Sequence, residues 1–260
     1  MLTLRRRARQ SVILGTLLGL GFWGSPTWSS EPPPVRAAVS SNFVMAFREL
    51  ALVFRDLSGI EVVDSAGSTG ILYAQILSGA PFDIFLAADA ERPEHLESAG
   101  RIVAGSRFTY AEGVLVLWTR RPDVDLTGGE ILLVQTDWRV AVANPRLAPY
   151  GRAAWEFLEA GGLHGALSDR LVFGANVIQT HQFVATANAE AGFVARSLIG
   201  DRGGSIWVVP DDMYAPISQQ AVQLSADDRG RTFLEFLRSD VARDIIVQHG
   251  YRVPEQRGGP

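Results

Sequence analysis

The stretch AAVSSNF, Ala37–Phe43, closes an apolar run with two hydroxyls and an amide and opens onto residues whose apolar positions recur at helical spacing: Phe43, Met45, Ala46, Phe47, Leu50, Phe54 and Leu57. It reads as a strand that feeds directly into a helix. The same arrangement returns three times. IEVVDSAGSTGILYAQILSGAP (Ile60–Pro81) gives a short apolar strand, a turn of small polar residues and a helix stopped by Gly79 and Pro81. WRVAVANPRLAPYGRAAWEFLEAGG (Trp138–Gly162) gives a strand, a loop shaped by two prolines and a helix starting near Gly151. RLVFGANVIQTHQFVATANAEAGFVA (Arg170–Ala195) gives strand, turn, helix and strand. Four such units, with FDIFLAAD (Phe82–Asp89) as a further buried strand, predict an α/β protein with largely parallel sheets flanked by helices.

Two segments break this rhythm. TYAEGVLVLWTRRPD (Thr109–Asp123) is a long β-rich run that would carry the chain out of one lobe, and GGSIWVVPDDMYAPISQQAVQL (Gly203–Leu224) would bring it back. A single final helix, Gly230–Tyr251, with Phe233, Phe236, Leu237, Val241, Ile245 and Ile246 on its apolar face, would rejoin the first lobe. The expected organisation is therefore two lobes with a hinge between them, residues 35–113 plus 215–255 forming the first and 114–214 the second.

The N-terminus carries Arg5, Arg6, Arg7 and Arg9, then the apolar run Ser11–Trp23, then the small-residue zone GSPTWSS (Gly24–Ser30). This order is that of a secretory signal peptide over residues 1–30, cleaved near Ser29 or Ser30. The apolar run falls well short of the roughly 20 residues a spanning helix needs. A soluble, exported, periplasmic protein is expected, and the adjacent arginines leave both general and twin-arginine export open. With no cysteine among 260 residues there are no disulfides, thiolate metal sites, cysteine nucleophiles or lipid-modified cysteine anchors. All 24 basic residues are arginine, which removes Schiff-base chemistry and the phosphate-loop lysine. Beyond residue 34 the chain holds 20 arginines against 27 acids, a formal charge of −7, with no basic stripe to attract nucleic acid or an anionic membrane.

In an open α/β sheet, ligands bind beyond the carboxyl ends of the strands, where helix N-termini present unsatisfied N–H groups and a partial positive charge. Ser40, Ser41 and Asn42 at the first junction, Ser68 and Thr69 at the second, and the N–H groups near Tyr150 and Val177 at the third and fourth would together line such a cleft with donors. A site made only of donors favours an oxyanion that carries no proton. Simple helix capping by the same serines, threonine and asparagine is the alternative. His95, His164, His181 and His249 lack metal-ligand spacing, and Asp83 and Asp89, which flank an apolar strand, are set aside as a catalytic pair because Asp89 reads better as a turn or cap residue. No G-x-S-x-G elbow, G-x-G-x-x-G turn or phosphate loop occurs, which leaves an enzyme such as a secreted serine hydrolase little support.

The stretches AAVSSNF, GSTGILYAQILSGAPFDIFLAAD, ANPRLAPYGRAA, GANVIQTHQFV, AGFVA and YAPISQQAVQL, taken in order over residues 35 to 252, resemble those of the periplasmic molybdate-binding proteins of ATP-binding-cassette importers. The resemblance implies a two-lobed periplasmic-binding-protein fold of type II, closing over molybdate or tungstate, with a membrane permease as partner, no cofactor and a monomeric state. It points to Ser40 or Ser41 with Asn42 and to Thr69, where many members have serine, on the first lobe, and to Tyr150 and Val177 on the second, the last two through main-chain N–H groups. Some members carry a ligand tyrosine where this chain has Ala195, and others have a tyrosine in the APYG loop instead, as here; whether Tyr150 acts by its hydroxyl or its backbone stays open. Sulfate or phosphate is the alternative ligand in the same fold.

Overall fold

The computed structural model describes residues 32–200 and 203–254; the signal-peptide reading and the tail EQRGGP lie outside them. The chain runs β1 (Val35–Ser40), a 3-10 turn (Ser41–Phe43), α1 (Val44–Ser58), β2 (Val62–Gly67), α2 (Thr69–Leu77), β3 (Ile84–Leu86), α3 (Glu91–Ser98) and β4 (Phe108–Gly113). It continues through β5 (Leu115–Thr119), α4 (Gly129–Gln135), β6 (Val140–Ala143), α5 (Pro149–Ala160), α6 (His164–Leu167), β7 (Leu171–Gly174), α7 (Val177–Ala185), β8 (Ala191–Ala195) and β9 (Ser205–Val208). Then come β10 (Ile217–Gln223), α8 (Asp228–Phe236) and α9 (Asp240–Gln248).

Two five-stranded sheets result, ordered β2-β1-β3-β10-β4 and β7-β6-β8-β5-β9. Each is mixed: three strands run parallel, and the strand fourth in line pairs antiparallel on both sides. That fourth strand is the one arriving from the other sheet, since β5 follows β4 after Val114 alone and β10 follows β9. The chain thus crosses twice between two lobes, and each crossing ends as an interior strand of the lobe it enters.

Burial on both faces explains why the interior strands β1, β5, β6 and β8 read as continuous apolar runs. In the first lobe Val35, Ala37 and Val39 of β1 pack with Phe43, Phe47, Leu50, Phe233 and Ile246, while Ala38 turns to the other face with Leu72, Phe85, Ala87 and Leu96. In the second, β5, β6 and β8 share one core with Tyr150, Ala154, Phe157 and Leu158 of α5.

The expected final helix is two. α8 stops at Phe236, and Ser239 caps α9 by accepting the Ala242 N–H at 3.3 Å. The break restarts the helical phase, so Phe233, Leu237 and Ile246 stay in the core whereas Val241, placed on the apolar face by a single-helix reading, is half exposed.

Gly151 lets α5 start against the end of β6. A Cβ there would collide with the carbonyl of Ala143 and the carbonyl carbon of Asn144, all rigid backbone. We predict that Gly151→Ala lowers the unfolding free energy by about 3 kcal/mol, at the upper end of overpacking costs; a denaturant titration showing a loss below about 1 kcal/mol would mean the α5 to β6 approach is not constrained in this way.

Candidate functional site

The first three strand-to-helix junctions are not capped by their own side chains. Ser40 stands at the N-cap before the 3-10 turn, yet makes no cap bond. Its Oγ lies 2.7 Å from Thr69 Oγ1, which also accepts the Ala88 N–H at 3.2 Å. One threonine hydroxyl therefore ties together the ends of β1, β2 and β3. Ser68, the N-cap of α2, makes no cap bond either, and its Oγ is buried without a hydrogen-bond partner. Leaving a buried hydroxyl unpaired costs about 1–3 kcal/mol, and the Ser68 hydroxyl is free of the protein's own donors and acceptors.

On the second lobe α5 begins Ala148-Pro149, again with no side-chain cap. Pro149 has no N–H, which makes Tyr150 the first donor of that helix end. At α7 the capping alternative holds: Asn176 Oδ1 accepts the Gln179 N–H at 2.9 Å. The Val177 N–H precedes that bond and belongs to the first-turn donors that a helix cannot satisfy internally.

The lobes meet across these ends. The Gly70 N–H donates to the Leu147 carbonyl at 2.9 Å, an approach a side chain would obstruct, because a Cβ on Gly70 would stand 3.1 Å from that oxygen and 3.2 Å from Arg92 Nη2. Arg152 reaches back to Glu91 at 2.5 Å, and that hydrogen bond holds the Glu91 carboxyl below its ordinary range. The 3-10 turn Ser41–Phe43 touches α7 and the turn Arg196–Leu198, and Ser197 Oγ donates to the Asn42 carbonyl at 3.2 Å. Ser40, Ser41, Asn42, Ser68, Thr69, Tyr150 and Val177 are all buried, none more than 5% exposed. These seven positions thus lie at the ends of elements that pack toward one another, and every one of them is neutral.

Two of the seven have side chains that bond to Gln219. Asn42 Nδ2 donates to Gln219 Oε1 at 2.8 Å and to the Tyr251 hydroxyl at 3.1 Å, which uses both of its hydrogens and leaves the main-chain N–H as its donor. The Tyr150 hydroxyl accepts from Gln219 Nε2 at 3.4 Å and rests against Gly113, where a Cβ would overlap it. Tyr110 joins with its hydroxyl 3.2 Å from the Ala87 carbonyl and 3.1 Å from Gln219 Oε1, its single proton serving one of these acceptors at a time. Burial pushes the phenols of Tyr110, Tyr150 and Tyr251 well above their ordinary range, so all three keep their protons.

Sequence reasoning did not single out Gln219, Tyr110, Tyr251 or Ser197. The available signal was Gln219 itself: a fully buried glutamine at the inward position of β10, between Ile217 and Ala221. The conspicuous charges are accounted for. Asp83 accepts from the Arg36 N–H and from Ser225 Oγ, and Asp89 takes the Arg92 N–H and pairs with its guanidinium, which also reaches the Arg146 carbonyl. Ala195 ends β8 wholly buried, paired with Leu115. Among the described residues no group of three or more His, Asp and Glu could hold a metal ion, and no helix is long and apolar enough to cross a membrane.

Two α/β lobes with uncapped helix ends facing each other across their junction define a periplasmic-binding-protein fold, and the chain belongs to the bacterial extracellular solute-binding protein family, whose pattern it matches over residues 35–252. It is similar to the molybdate-binding protein ModA of Azotobacter vinelandii, 42% identical over 241 residues, or 90% of this chain and 94% of that one. The ModA of Rhodobacter capsulatus is also 42% identical, over 84% of this chain and 87% of its own. The solved structure of the Azotobacter vinelandii periplasmic molybdate-binding protein superimposes with a TM-score of 0.81 at 38% identity, covering 85% of this chain and all of that one. These relatives are solute-binding proteins, not enzymes.

The two serines should behave oppositely in the ligand-free protein. Ser68→Ala removes an unpaired buried hydroxyl and is expected to raise the unfolding free energy by about 1 kcal/mol, whereas Ser40→Ala breaks the bond to Thr69 and should lower it by about as much. Denaturant titration checks both, and a destabilised Ser68→Ala would show that its hydroxyl already has a partner.

Proposed function

We propose that this chain binds molybdate, and tungstate with it, in the periplasm and passes the ion to the membrane permease of an ATP-binding-cassette importer. The observation that carries the reading is the Ser68 hydroxyl, buried and unpartnered at the uncapped start of α2, beside Ser40 and Thr69. It is supported by the 42% identity to two molybdate-binding proteins over most of the chain. Ser40, Ser41, Ser68 and Thr69, with the main-chain N–H of Asn42, would contact the oxyanion from the first lobe, residues 35–113 plus 215–255. Tyr150 and the Val177 N–H would do so from the second, residues 114–214.

Such a site holds a dianion by partial charges. Each helix end contributes something like half a positive charge, and the hydroxyls add donors without bringing a counter-charge. Molybdate and tungstate carry no proton near neutral pH and suit a donor-only lining, while hydrogen phosphate would bring a donor with no acceptor to meet it. Discrimination against sulfate, which is also unprotonated, would come from size. The anion would stabilise the closed arrangement by linking donors on both lobes, and the permease would recognise that shape. Residues 1–30 act in this reading as a cleaved export signal, and the mature protein works as a monomer.

Calorimetric and thermal-shift titrations of the mature chain test this. Molybdate and tungstate should each release heat and raise the melting temperature, with little response to sulfate or hydrogen phosphate. Thr69→Ala and Ser41→Ala should each weaken molybdate binding by about 1 to 3 kcal/mol, the value of a hydrogen bond to a charged group in a dry cleft. No response to either group-six oxyanion overturns the ligand; a normal response from both variants overturns the site.

A further inference from the structure

Gln219 is fully buried on β10 at a point where its pairing with β4 shifts: Gln219 faces Ala111, Gln220 faces Thr109, and Tyr110 is the extra residue between. Bulges of this kind re-aim side chains. Here the Gln219 amide spans the lobes, because Asn42 and Tyr110 belong to the first lobe while Tyr150 stands at the start of α5 in the second. Its two ends are chemically fixed. Tyr251 donates to the Asn42 carbonyl at 2.6 Å, so its oxygen accepts one Asn42 Nδ2 hydrogen, and the other goes to Gln219 Oε1 at 2.8 Å. With Oε1 also facing the Tyr110 hydroxyl, Nε2 is the end left for Tyr150, at 3.4 Å. The Tyr150 oxygen is therefore an acceptor toward Gln219, and its own proton must point elsewhere.

We infer that Gln219 is a positioning residue for ligand selectivity: by donating to the Tyr150 oxygen it turns the phenol proton toward the bound anion and makes Tyr150 a donor. This rests on the oxyanion reading above and adds to it a residue that touches no ligand itself. Because the Gln219–Tyr150 bond joins the lobes, it also connects the hydrogen-bond chain beginning at Tyr251 to lobe closure.

The test uses molybdate calorimetry on the mature wild-type chain and on Gln219→Leu, Gln219→Glu, Tyr150→Phe and the double variant Gln219→Leu/Tyr150→Phe, with folding checked by ligand-free melting. Gln219→Leu should weaken binding by about tenfold in the wild-type background and by clearly less in Tyr150→Phe, since its effect passes through the phenol. Gln219→Glu keeps the shape but, as a carboxylate, accepts the phenol proton and withdraws it from the anion. Its loss should be largest near pH 8 and shrink as the pH falls toward about 5, where a protonated carboxyl again donates. The titratable groups facing this position are Tyr110 from β4, Tyr150 from α5 and Tyr251 beyond α9, with Asp89 and Tyr214 acting on them at longer range. The three facing phenols remain protonated across that range. The Gln219→Glu variant should also bind hydrogen phosphate better relative to molybdate than the wild type does. Equal losses from Gln219→Leu in both backgrounds, or a Gln219→Glu loss that does not vary with pH, overturns the inference; if Gln219→Leu does not fold, the Gln219→Glu profile decides. A wild-type chain that ignores molybdate overturns the oxyanion reading instead.

Discussion

The first turn of an α-helix presents N–H groups that the helix cannot use, and a buried helix start must meet them from outside. In most proteins a serine, threonine, aspartate or asparagine one residue ahead does this. At Ser40, Ser68 and Ala148 this chain supplies no such bond, although two of those residues are of the right type. The Ser40 hydroxyl is instead turned to Thr69, and Ser68 is held buried and unpaired. Three helical starts are thereby left without a side-chain cap where the lobes meet, and one of their donors, the Gly70 N–H, is taken by the Leu147 carbonyl of the other lobe. Thr69 clamps the ends of three strands, Gly70 admits the Leu147 carbonyl, and Gly151 seats α5 on β6.

The topology brings these ends face to face. Each lobe inserts one antiparallel strand delivered by the other, and only Val114 separates β4 from β5. Two crossings, one of a single residue and one over residues 209–216, join the lobes, which is the connectivity of a hinged pair. The tyrosine and glutamine network lies between these crossings, buried among residues of both lobes. Tyr150 from the second lobe rests on Gly113 at one crossing and on Gln219, which follows the other. A large side chain at position 113 would displace the phenol, so the glycine is explained by its neighbour rather than by its own backbone conformation.

The strand-to-helix units, the two crossings and the placing of the seven candidate positions at junctions were legible because they rest on local pattern: apolar runs, small polar residues at junctions, and prolines at the entry to α5. Capping and ligand contact use the same residue types, so local pattern left their roles open. The difference appeared only in three dimensions, with Asn176 bonded to its own helix and Ser68 bonded to nothing. Asn42 illustrates the limit from the other side. Its partners Gln219 and Tyr251 are 177 and 209 residues away, and no window along the chain reveals that its amide is already used. The division of the last helix was missed for a related reason: Ser239 is a strong N-cap, but the apolar spacing on either side continues closely enough to mask the restart.

An acidic protein that holds a dianion without cationic side chains is physically reasonable once desolvation is counted. Burying an arginine beside the ligand would incur its own desolvation cost, several kcal/mol after relaxation, and the charge would remain when the site emptied. Here the guanidinium nearest the first turn of α2 is instead matched by Asp89 and the Arg146 carbonyl, and so contributes little net field. Helix ends and hydroxyls lose less on leaving water and need no counter-ion when the lobes part. Their dipoles are also fixed by the fold, so the donors need little reorganisation when the anion arrives. In the proposed site, neutral donors from two lobes would therefore reconcile firm closure on a dianion with an empty state that carries no unpaired buried charge, a balance that a carrier which must also release its cargo requires.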